Sequence, residues 1–357
     1  MANPRSIVLG AALVAAVALA LACSERSHPA APALLADVAA SSGTQATAFS
    51  GSATVLRATV LGVSTTLGDA GSLPSSGGAQ EASPLLSVSE PGLFSAEVVH
   101  ASTVGEGNSS HSEAAVANVS LTVAGNSISA DFLEARATAR CTGSGASASG
   151  SSDIATLVIN DDTIPVSGAP NQTVALPLNS GEVIINEQNS NGTGDITVNA
   201  LHVIVNGVAD VIVSQAHADI TCQPVAPNPP PPAGCPGSDF VTGGGWITGT
   251  PSGARGNFAV AGGTKQGWGH LTYIDHGDGT RVKGTGVTNY KIVDSTTRHI
   301  DGTAEINGQS GFTYSVDVSD NGEPGRNDSF TLTLSNGYHA SSTNLDGGNI
   351  QLHTPCQ

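Results

Sequence analysis

The sequence contains few aromatic and few charged residues, and cationic side chains are especially scarce. Aromatic residues make up 4% of the 357 residues and charged residues 11%, with 12 Lys and Arg against 29 Asp and Glu and a formal net charge of −17. This balance argues against a nucleic-acid partner, because little would neutralise the phosphates. The acidity has two explanations: solubility outside the cell, which is the simpler one, or binding of divalent cations.

Long apolar runs are also missing, apart from one at the N-terminus. Residues 7–22 follow Arg5 and form a stretch shorter than the roughly 20 residues that span a bilayer. The pattern indicates an export signal. It ends in Ala20-Leu21-Ala22-Cys23, which is similar to a bacterial lipobox except that Ala20 stands where Leu is usual. Two alternatives remain: a lipoprotein anchored to the cell envelope through Cys23, or a secreted protein released by ordinary cleavage.

The five cysteines favour the lipid anchor. Cys141 and Cys222 precede a proline-rich segment, whereas Cys235 and Cys356 follow it. This distribution predicts one disulfide on each side, Cys141–Cys222 and Cys235–Cys356. Cys23 is then the odd thiol, and an unpaired thiol is unusual in an exported protein.

The chain is long enough for two domains, because single cores stop growing at about 250 to 300 residues. Residues 223–234 read QPVAPNPPPPAG, a composition that favours a stiff polyproline II spacer. The predicted organisation is a signal peptide at 1–22, a lipidated Cys23 with a flexible tether at 23–47, a β domain at 48–222, a Pro-rich linker at 223–234 and a second β domain at 235–357.

Period-two alternation predicts an all-β fold. Asn206-Gly207 lies between two strand-like runs and predicts a hairpin turn. Residues 53–63, 114–124 and 128–139 also alternate, with no helical periodicity, and a turn is predicted at Gly125-Asn126 between the last two. Residues 312–318 and 329–334 flank a polar loop in the same way. We expect two β-sandwich or partly closed β-barrel domains joined by the Pro-rich linker.

The first β domain resembles the choice-of-anchor P family of exported bacterial proteins. The resemblance covers roughly 170 residues and rests on A-P-N-Q-T-V-A-L-P at 169–177, V-I-I-N-E-Q at 183–188 and V-N-A-L-H-V at 198–203. It implies attachment to the cell surface and no known enzymatic activity.

The second β domain resembles the small β domain that often follows choice-of-anchor P regions. Four motifs occur in order: F-V-T-G-G-G-W-I at 240–247, G-H-L-T-Y-I-D-H at 269–276, D-N-G-E-P-G-R-N-D at 320–328 and G-G-N-I-Q-L-H at 347–353. We therefore expect a structural, adhesive or binding module, whose partner is a matrix component, a glycan or a surface protein.

Recognisable catalytic motifs are missing from the sequence. It contains neither a G-x-S-x-G nucleophile elbow nor an H-E-x-x-H zinc motif. The alternative to a binding module is a secreted hydrolase that uses His270, Asp275, His276 and Asp278. Asp and Gly beside each other are also what a hairpin turn requires. The two hypotheses differ in whether these side chains converge in a concave pocket.

Two further groups are candidates for binding. A calcium site, the one cofactor considered, would use the oxygen ligands of Asp320, Asn321, Glu323 and Asp328, whose spacing differs from that of an EF-hand. The alternative is a series of turns in which Arg326 pairs with a carboxylate. Sugar stacking would use the rings of Trp246, Trp268 and Tyr273, whereas the alternative places these rings in the core.

Overall fold

The computed structural model describes residues 44–83, 85–224 and 239–354. The described chain is all-β, as predicted, with antiparallel strands and one short 3-10 turn at Pro177–Asn179. In these ranges no helix is long and apolar enough to cross a membrane. Cys23, Cys235 and Cys356 lie outside the described residues, so the lipid anchor and the second disulfide stay predictions.

The outer sheet has six strands in the order β11-β12-β13-β14-β1-β2. The strands are β1 (Thr44–Val60), β2 (Val63–Ser72), β11 (Gln172–Ala175), β12 (Gly181–Gly192), β13 (Asp195–Val205) and β14 (Ala209–Pro224). The hairpin predicted at Asn206-Gly207 is present, because β13 and β14 pair from Val205 and Ala209 outwards. β1 begins at Thr44, four residues before the predicted domain start at residue 48.

The predicted strand over residues 53–63 is interrupted by a turn. Leu61 and Gly62 have positive φ angles of 49° and 80°, and Val60 pairs with Val63 around them. Two successive positive φ angles are the geometry of a two-residue hairpin turn. An aliphatic residue rarely adopts this conformation, so the presence of Leu61 did not predict a turn at this position.

The middle sheet has eight strands, and its long strands β5, β6 and β7 are neighbours. The strands are β3 (Gly78–Glu81), β4 (Leu85–Glu90), β5 (Phe94–Glu106), β6 (Ser109–Val123), β7 (Asn126–Thr142), β8 (Gly145–Ala155), β9 (Val158–Ile159) and β10 (Asp162–Thr163). β6 and β7 form a hairpin that turns at Ala124-Gly125, one residue before the predicted Gly125-Asn126.

The outer and middle sheets pack face to face as a sandwich. Small and branched residues such as Val55, Val116, Leu133 and Val213 fill the space between them and are fully buried. Cys141 of β7 and Cys222 of β14 form the predicted disulfide, with Cα atoms 5.6 Å apart. The two sheets are therefore joined by both an apolar core and a covalent bond.

The C-terminal sheet has nine strands in the order β22-β21-β20-β19-β18-β17-β16-β15-β23. The strands are β15 (Phe240–Ile247), β16 (Gly256–Gly263), β17 (Gly269–Asp275), β18 (Arg281–Ile292), β19 (Thr297–Ile306), β20 (Gln309–Ser319), β21 (Ser329–Leu334), β22 (His339–Ser342) and β23 (Gly347–His353). The sheet curves around its own core, which includes Phe258, Tyr273 and Phe330. The strands predicted on either side of the polar loop, β20 and β21, pair with each other.

The strands before and after the Pro-rich segment have separate apolar cores but belong to one compact unit, Ala40–Gln357. Strands β15, β16, β17 and β23 of the C-terminal sheet lie against the middle sheet. The middle sheet is therefore covered on both faces, by the outer sheet on one side and by the C-terminal sheet on the other.

Candidate functional site

The loop from Asp320 to Asp328 uses its carboxylates to hold backbone groups. The Asp328 carboxylate accepts hydrogen bonds from the amides of Asn321 and Ile350, both at 2.8 Å. Asp320 accepts one from the Leu352 amide at 2.8 Å. Burial raises the pKa of Asp328 to about 7, against the two amides that favour its charged form. These contacts tie the loop to β23.

The remaining residues of this loop also contact neighbouring strands. Glu323 accepts a hydrogen bond from the Asn349 side-chain amide at 3.2 Å. Arg326 pairs with Asp153 of β8 at 3.0 Å and with the backbone carbonyl of Asp346, not with a carboxylate of its own loop. Among the described residues, no group of three or more His, Cys, Asp or Glu side chains is arranged to hold a metal ion.

The four side chains of the hydrolase hypothesis do not come together. His270 and Asp275 belong to β17 and point to opposite faces of it, His270 towards the middle sheet and Asp275 towards the core of the C-terminal sheet. Asp275 accepts hydrogen bonds from Ser252 and Tyr338. His276 contacts Asn257 at 2.8 Å, and Asp278 accepts the Thr280 amide of its own turn.

The three aromatic rings considered for sugar stacking lie in separate environments. Tyr273 is fully buried and its hydroxyl bonds that of Tyr338 at 2.8 Å. The guanidinium of Arg255 covers the Trp246 ring at 4.4 Å from its centre. Trp268 packs edge-on against Phe240. The rings therefore do not form one stacking platform.

Among the described residues, a cluster of buried ionisable side chains lies on the face of the middle sheet that the C-terminal sheet covers. We call this contact the polar seam. On β6, Ala114 and Val116 point towards the outer sheet, while His111 and Glu113 point into the seam. The cross-strand register aligns the seam residues in rows, Ser102–Glu113–Arg136 in one and Val104–His111–Thr138 in the next. Alternate residues of the same strands thus build an apolar face and an ionisable face.

The seam residues are in close contact and are shielded from solvent. His100 Nε2 is 3.4 Å from Glu113 Oε1, and His111 Nε2 is 3.7 Å from Glu113 Oε2. Arg136 donates a hydrogen bond to Glu134 at 2.7 Å. All five side chains are at most 8% exposed.

The covering strands contribute further polar groups. The His270 ring lies 6.2 Å from that of His100, and the His353 ring 6.3 Å from that of His111. Gly244 of β15 crosses directly above, since a Cβ added there would be 3.4 Å from the Cβ atoms of Ala115 and His100. The glycine lets β15 approach the middle sheet closely.

Burial changes the protonation of the seam. Desolvation raises the pKa of Glu113 to about 8 although Arg136 opposes the change, and it raises the pKa of Glu134 well above its usual range. Desolvation lowers the pKa of His100 to about 3 and that of His111 to about 4. Burial alone would lower the pKa of Arg136, but the adjacent carboxylates raise it. At neutral pH the histidines are therefore uncharged and Glu113 keeps its proton.

Glu113 and Glu134 are close enough for one carboxyl to hydrogen bond the other. Two buried carboxylates in contact cannot both ionise at low cost, so such a pair shares a proton. Within the described chain, both Glu113 oxygens, Glu134 Oε1, His111 Nε2 and His100 Nδ1 have no conventional hydrogen-bond partner. The chemistry that this arrangement supports is the uptake and release of protons.

Within the described ranges, a small apolar cluster lies in the seam. It consists of Val98 and Ala117 of the middle sheet and Ala259 and Ile274 of the C-terminal sheet. Three ion pairs lie at the rim of the seam: Arg281–Glu97 at 2.9 Å, Arg255–Asp131 at 3.1 Å and Arg326–Asp153 at 3.0 Å. A cavity of about 390 Å³ opens at one end, where His111, His353 and Arg140 line it.

A second polar network lies on the face of the outer sheet opposite its core, where Asn199 and Gln215 are 4% and 8% exposed. Arg57 donates to Gln215 at 2.7 Å, and Gln215 donates to Asn199 at 2.8 Å. Asn199 donates to Glu187, which also contacts His202 at 2.8 Å. The row spans β1, β14, β13 and β12. Its side chains are held in position by one another.

Sequence reasoning considered the histidines and acids mainly within turns and missed the polar seam. The alternation H-S-E-A-A-V at residues 111–116 is visible, but it also fits a strand with one solvent-facing side. A strand in which alanines alternate with ionisable residues does not indicate that a second sheet covers its ionisable face.

Comparisons with known proteins add little. No protein-family model matches this chain, and no curated protein matches it. Among solved structures, the chain is similar to a putative AttH from Nitrosomonas europaea, with 8% sequence identity, coverage of 85% of this chain and 92% of the other, and a TM-score of 0.16. A likeness at this level carries no argument about fold or function.

Proposed function

We propose that the protein is a cell-envelope-anchored, surface-displayed β module that binds a glycan, a matrix component or another surface protein and does not catalyse a reaction. The leader that ends at Cys23 and the cysteine distribution support the anchor. The resemblance of residues 48–222 to choice-of-anchor P proteins supports surface display.

One observation carries the binding role: the hydrogen-bonded row on the outer sheet. Arg57, Gln215, Asn199, Glu187 and His202 form a preordered hydrogen-bonded row on the face of the outer sheet opposite its core. Arg57 is exposed at one end of the row, whereas Asn199 and Gln215 are 4% and 8% exposed. A preordered polar surface binds hydroxyl-rich ligands at low entropic cost. A glycan is therefore the favoured partner.

A glycan and matrix-protein binding screen tests the role. We expect the full chain without its leader to bind at least one glycan class, and Gln215→Ala to weaken that binding by about tenfold, which corresponds to about 1.4 kcal/mol. His299→Ala is the matched control, because His299 lies in a similar polar row with Asp301 and Asp317 on the C-terminal sheet. Equal loss in both variants, or no binding at all, would contradict the proposal.

The anchor has its own test. The intact mass of the membrane-extracted protein should equal the chain from Cys23 plus a diacylglyceryl group and an acyl chain. A bare mass would leave secretion as the alternative.

The calcium proposal for Asp320, Asn321, Glu323 and Asp328 is also testable. Bound calcium should raise the melting temperature by mass action, and Asp320→Ala should remove the increase. An unchanged melting curve across millimolar calcium and chelator would leave these oxygens to their amide partners.

A further inference from the structure

The polar seam differs from an ordinary domain core in what holds it together. Among the described residues, its apolar cluster consists of Val98, Ala117, Ala259 and Ile274 with Leu86 packed against it, and ionisable groups and rim ion pairs lie around this cluster. Contacts of this polar kind resemble transient interfaces rather than permanent ones. Its stability therefore depends on the protonation of the buried groups.

Ionisable groups from most of the bordering elements face the seam or its rim. They are Glu81 of β3, Glu97, His100 and Glu106 of β5, His111 and Glu113 of β6, Asp131, Glu134, Arg136 and Arg140 of β7, Asp153 of β8, Arg255 before β16, His270 of β17, His276 and Arg281 before and in β18, Asp320, Glu323 and Arg326 of the β20–β21 connection, and His353 of β23.

We propose that the polar seam is a pH-gated joint: the C-terminal sheet stays docked while the Glu113–Glu134 pair holds a proton and the seam histidines are neutral, and it undocks when the pair loses its proton or the histidines gain one. The Pro-rich segment between β14 and β15 would keep the two parts in one chain after undocking.

The alkaline limb follows from Glu113. Its pKa is about 8 in the docked state against 4.5 for an exposed carboxyl, so the docked state binds the proton more strongly. The contribution of Glu113 to docking is therefore complete below pH 4.5 and is lost as the pH rises through 8. Between these two pH values the equilibrium constant for undocking increases by up to about tenfold per pH unit.

The acid limb follows from the histidines. Their pKa values are about 3 for His100 and about 4 for His111 in the docked state, against 6.5 when exposed, and burial lowers that of His353 as well. Protons therefore favour the undocked state as the pH falls below 6.5. The two limbs together place the tightest docking near pH 6.5.

The joint is also accessible to protons. His111 and His353 line the cavity of about 390 Å³ that opens at one end of the seam. A proton exchanging with solvent can reach these rings without unfolding of either sheet.

The test is small-angle scattering of the full chain from pH 4 to pH 9, with far-UV circular dichroism to follow strand content. We expect the radius of gyration to be smallest near pH 6.5 and to increase on both sides while the strand signal is unchanged. Between pH 7 and pH 8 the equilibrium constant for undocking should rise about fivefold through Glu113 in the wild type and by less than about twofold in Glu113→Gln, which keeps a neutral side chain at every pH. Glu182→Gln, on β12 of the outer sheet and outside the hydrogen-bonded row, should behave as the wild type.

A second measurement uses only the wild-type protein, so it does not depend on whether Glu113→Gln folds. Exchange of the histidine C2 protons in the wild type reports access to each ring, and it should accelerate at pH 9 for His100 and His270 but not for His202 of the outer sheet. A constant radius from pH 4 to pH 9, the same alkaline expansion in Glu113→Gln, or loss of strand signal at the pH of expansion would overturn the proposal.

Discussion

The two faces of the middle sheet are built from the same strands and form opposite kinds of contact. Towards the outer sheet, β6 and β7 present Val116, Leu133 and alanines, which pack into an apolar core. Towards the C-terminal sheet, the alternate positions present Glu113, Glu134 and Arg136. One strand sequence therefore joins to one neighbour through the hydrophobic effect and to the other through electrostatics.

This difference has consequences for how each contact responds to change. Apolar burial contributes roughly 25 cal/mol per Å² and depends little on pH. Buried charges depend strongly on their partners, because a partner lost leaves an uncompensated charge. The apolar contact should therefore tolerate pH and salt, and the polar seam should respond to both.

The largest effect is expected from breaking the buried pair in the seam. Arg136→Ala leaves Glu134 without its cation and should lower the free energy of unfolding by about 3–5 kcal/mol. Urea denaturation of the full chain measures it. The double variant Arg136→Met, Glu134→Leu removes both charges and should recover most of the loss. A double variant as unstable as Arg136→Ala would show that packing, not charge, dominates the seam.

The disulfide tests the apolar contact separately from the polar seam, because it joins the outer and middle sheets. Cys141 and Cys222 are separated by 81 positions. Replacing both with Ser should cost about 4 kcal/mol in the chain-entropy model. Thermal unfolding under oxidising conditions checks this. The pH response of the seam should be unchanged in the variant, since neither cysteine lies between the seam carboxyls.

A smaller loss is expected from the apolar contact. Leu133 is 0% exposed between the outer and middle sheets, and Leu133→Ala should cost about 3 kcal/mol. The loss should be the same at pH 5 and pH 8, because no titrating group is removed. Leu61→Ala, at a side chain that is 77% exposed, is the control and should change stability by less than about 0.5 kcal/mol. A pH-dependent loss in Leu133→Ala would break the distinction between the two contacts.

The smallest effect is expected at the rim of the seam. Arg281 and Glu97 are 39% and 23% exposed in their side chains, and Arg281→Ala should cost less than about 1 kcal/mol. Denaturation at low salt and at about 1 M salt, where the Debye length is about 3 Å, measures it. The difference between variant and wild type should disappear at high salt. A salt-independent loss would assign Arg281 a packing role instead.

Local patterns predicted the strands well because the information for a strand is local. The hairpin at Asn206-Gly207 and the pair β20–β21 follow from alternation and turn residues alone. The turn at Leu61-Gly62 was missed because the β1–β2 pairing imposes a positive φ angle on a residue that seldom has one. The disulfide Cys141–Cys222 was predicted from cysteine parity.

The candidate site could not be predicted in the same way. His270 and Asp275 are close in sequence, but strand alternation points them to opposite faces. Glu113 and Glu134 lie on neighbouring strands, and nothing in the sequence states that a third layer covers them. Their shared proton depends on that cover, because an exposed pair of carboxyls would simply ionise.

The sequence by itself determined the all-β class, the turns between many strands and the Cys141–Cys222 pair, because these depend on periodicity, turn chemistry and cysteine number. Only the tertiary structure decided which ionisable residues meet, since the C-terminal sheet begins at Phe240, 98 residues after β7 ends at Thr142. Docking excludes water from His100, His111 and Glu113, and desolvation, which no local pattern encodes, changes their pKa values.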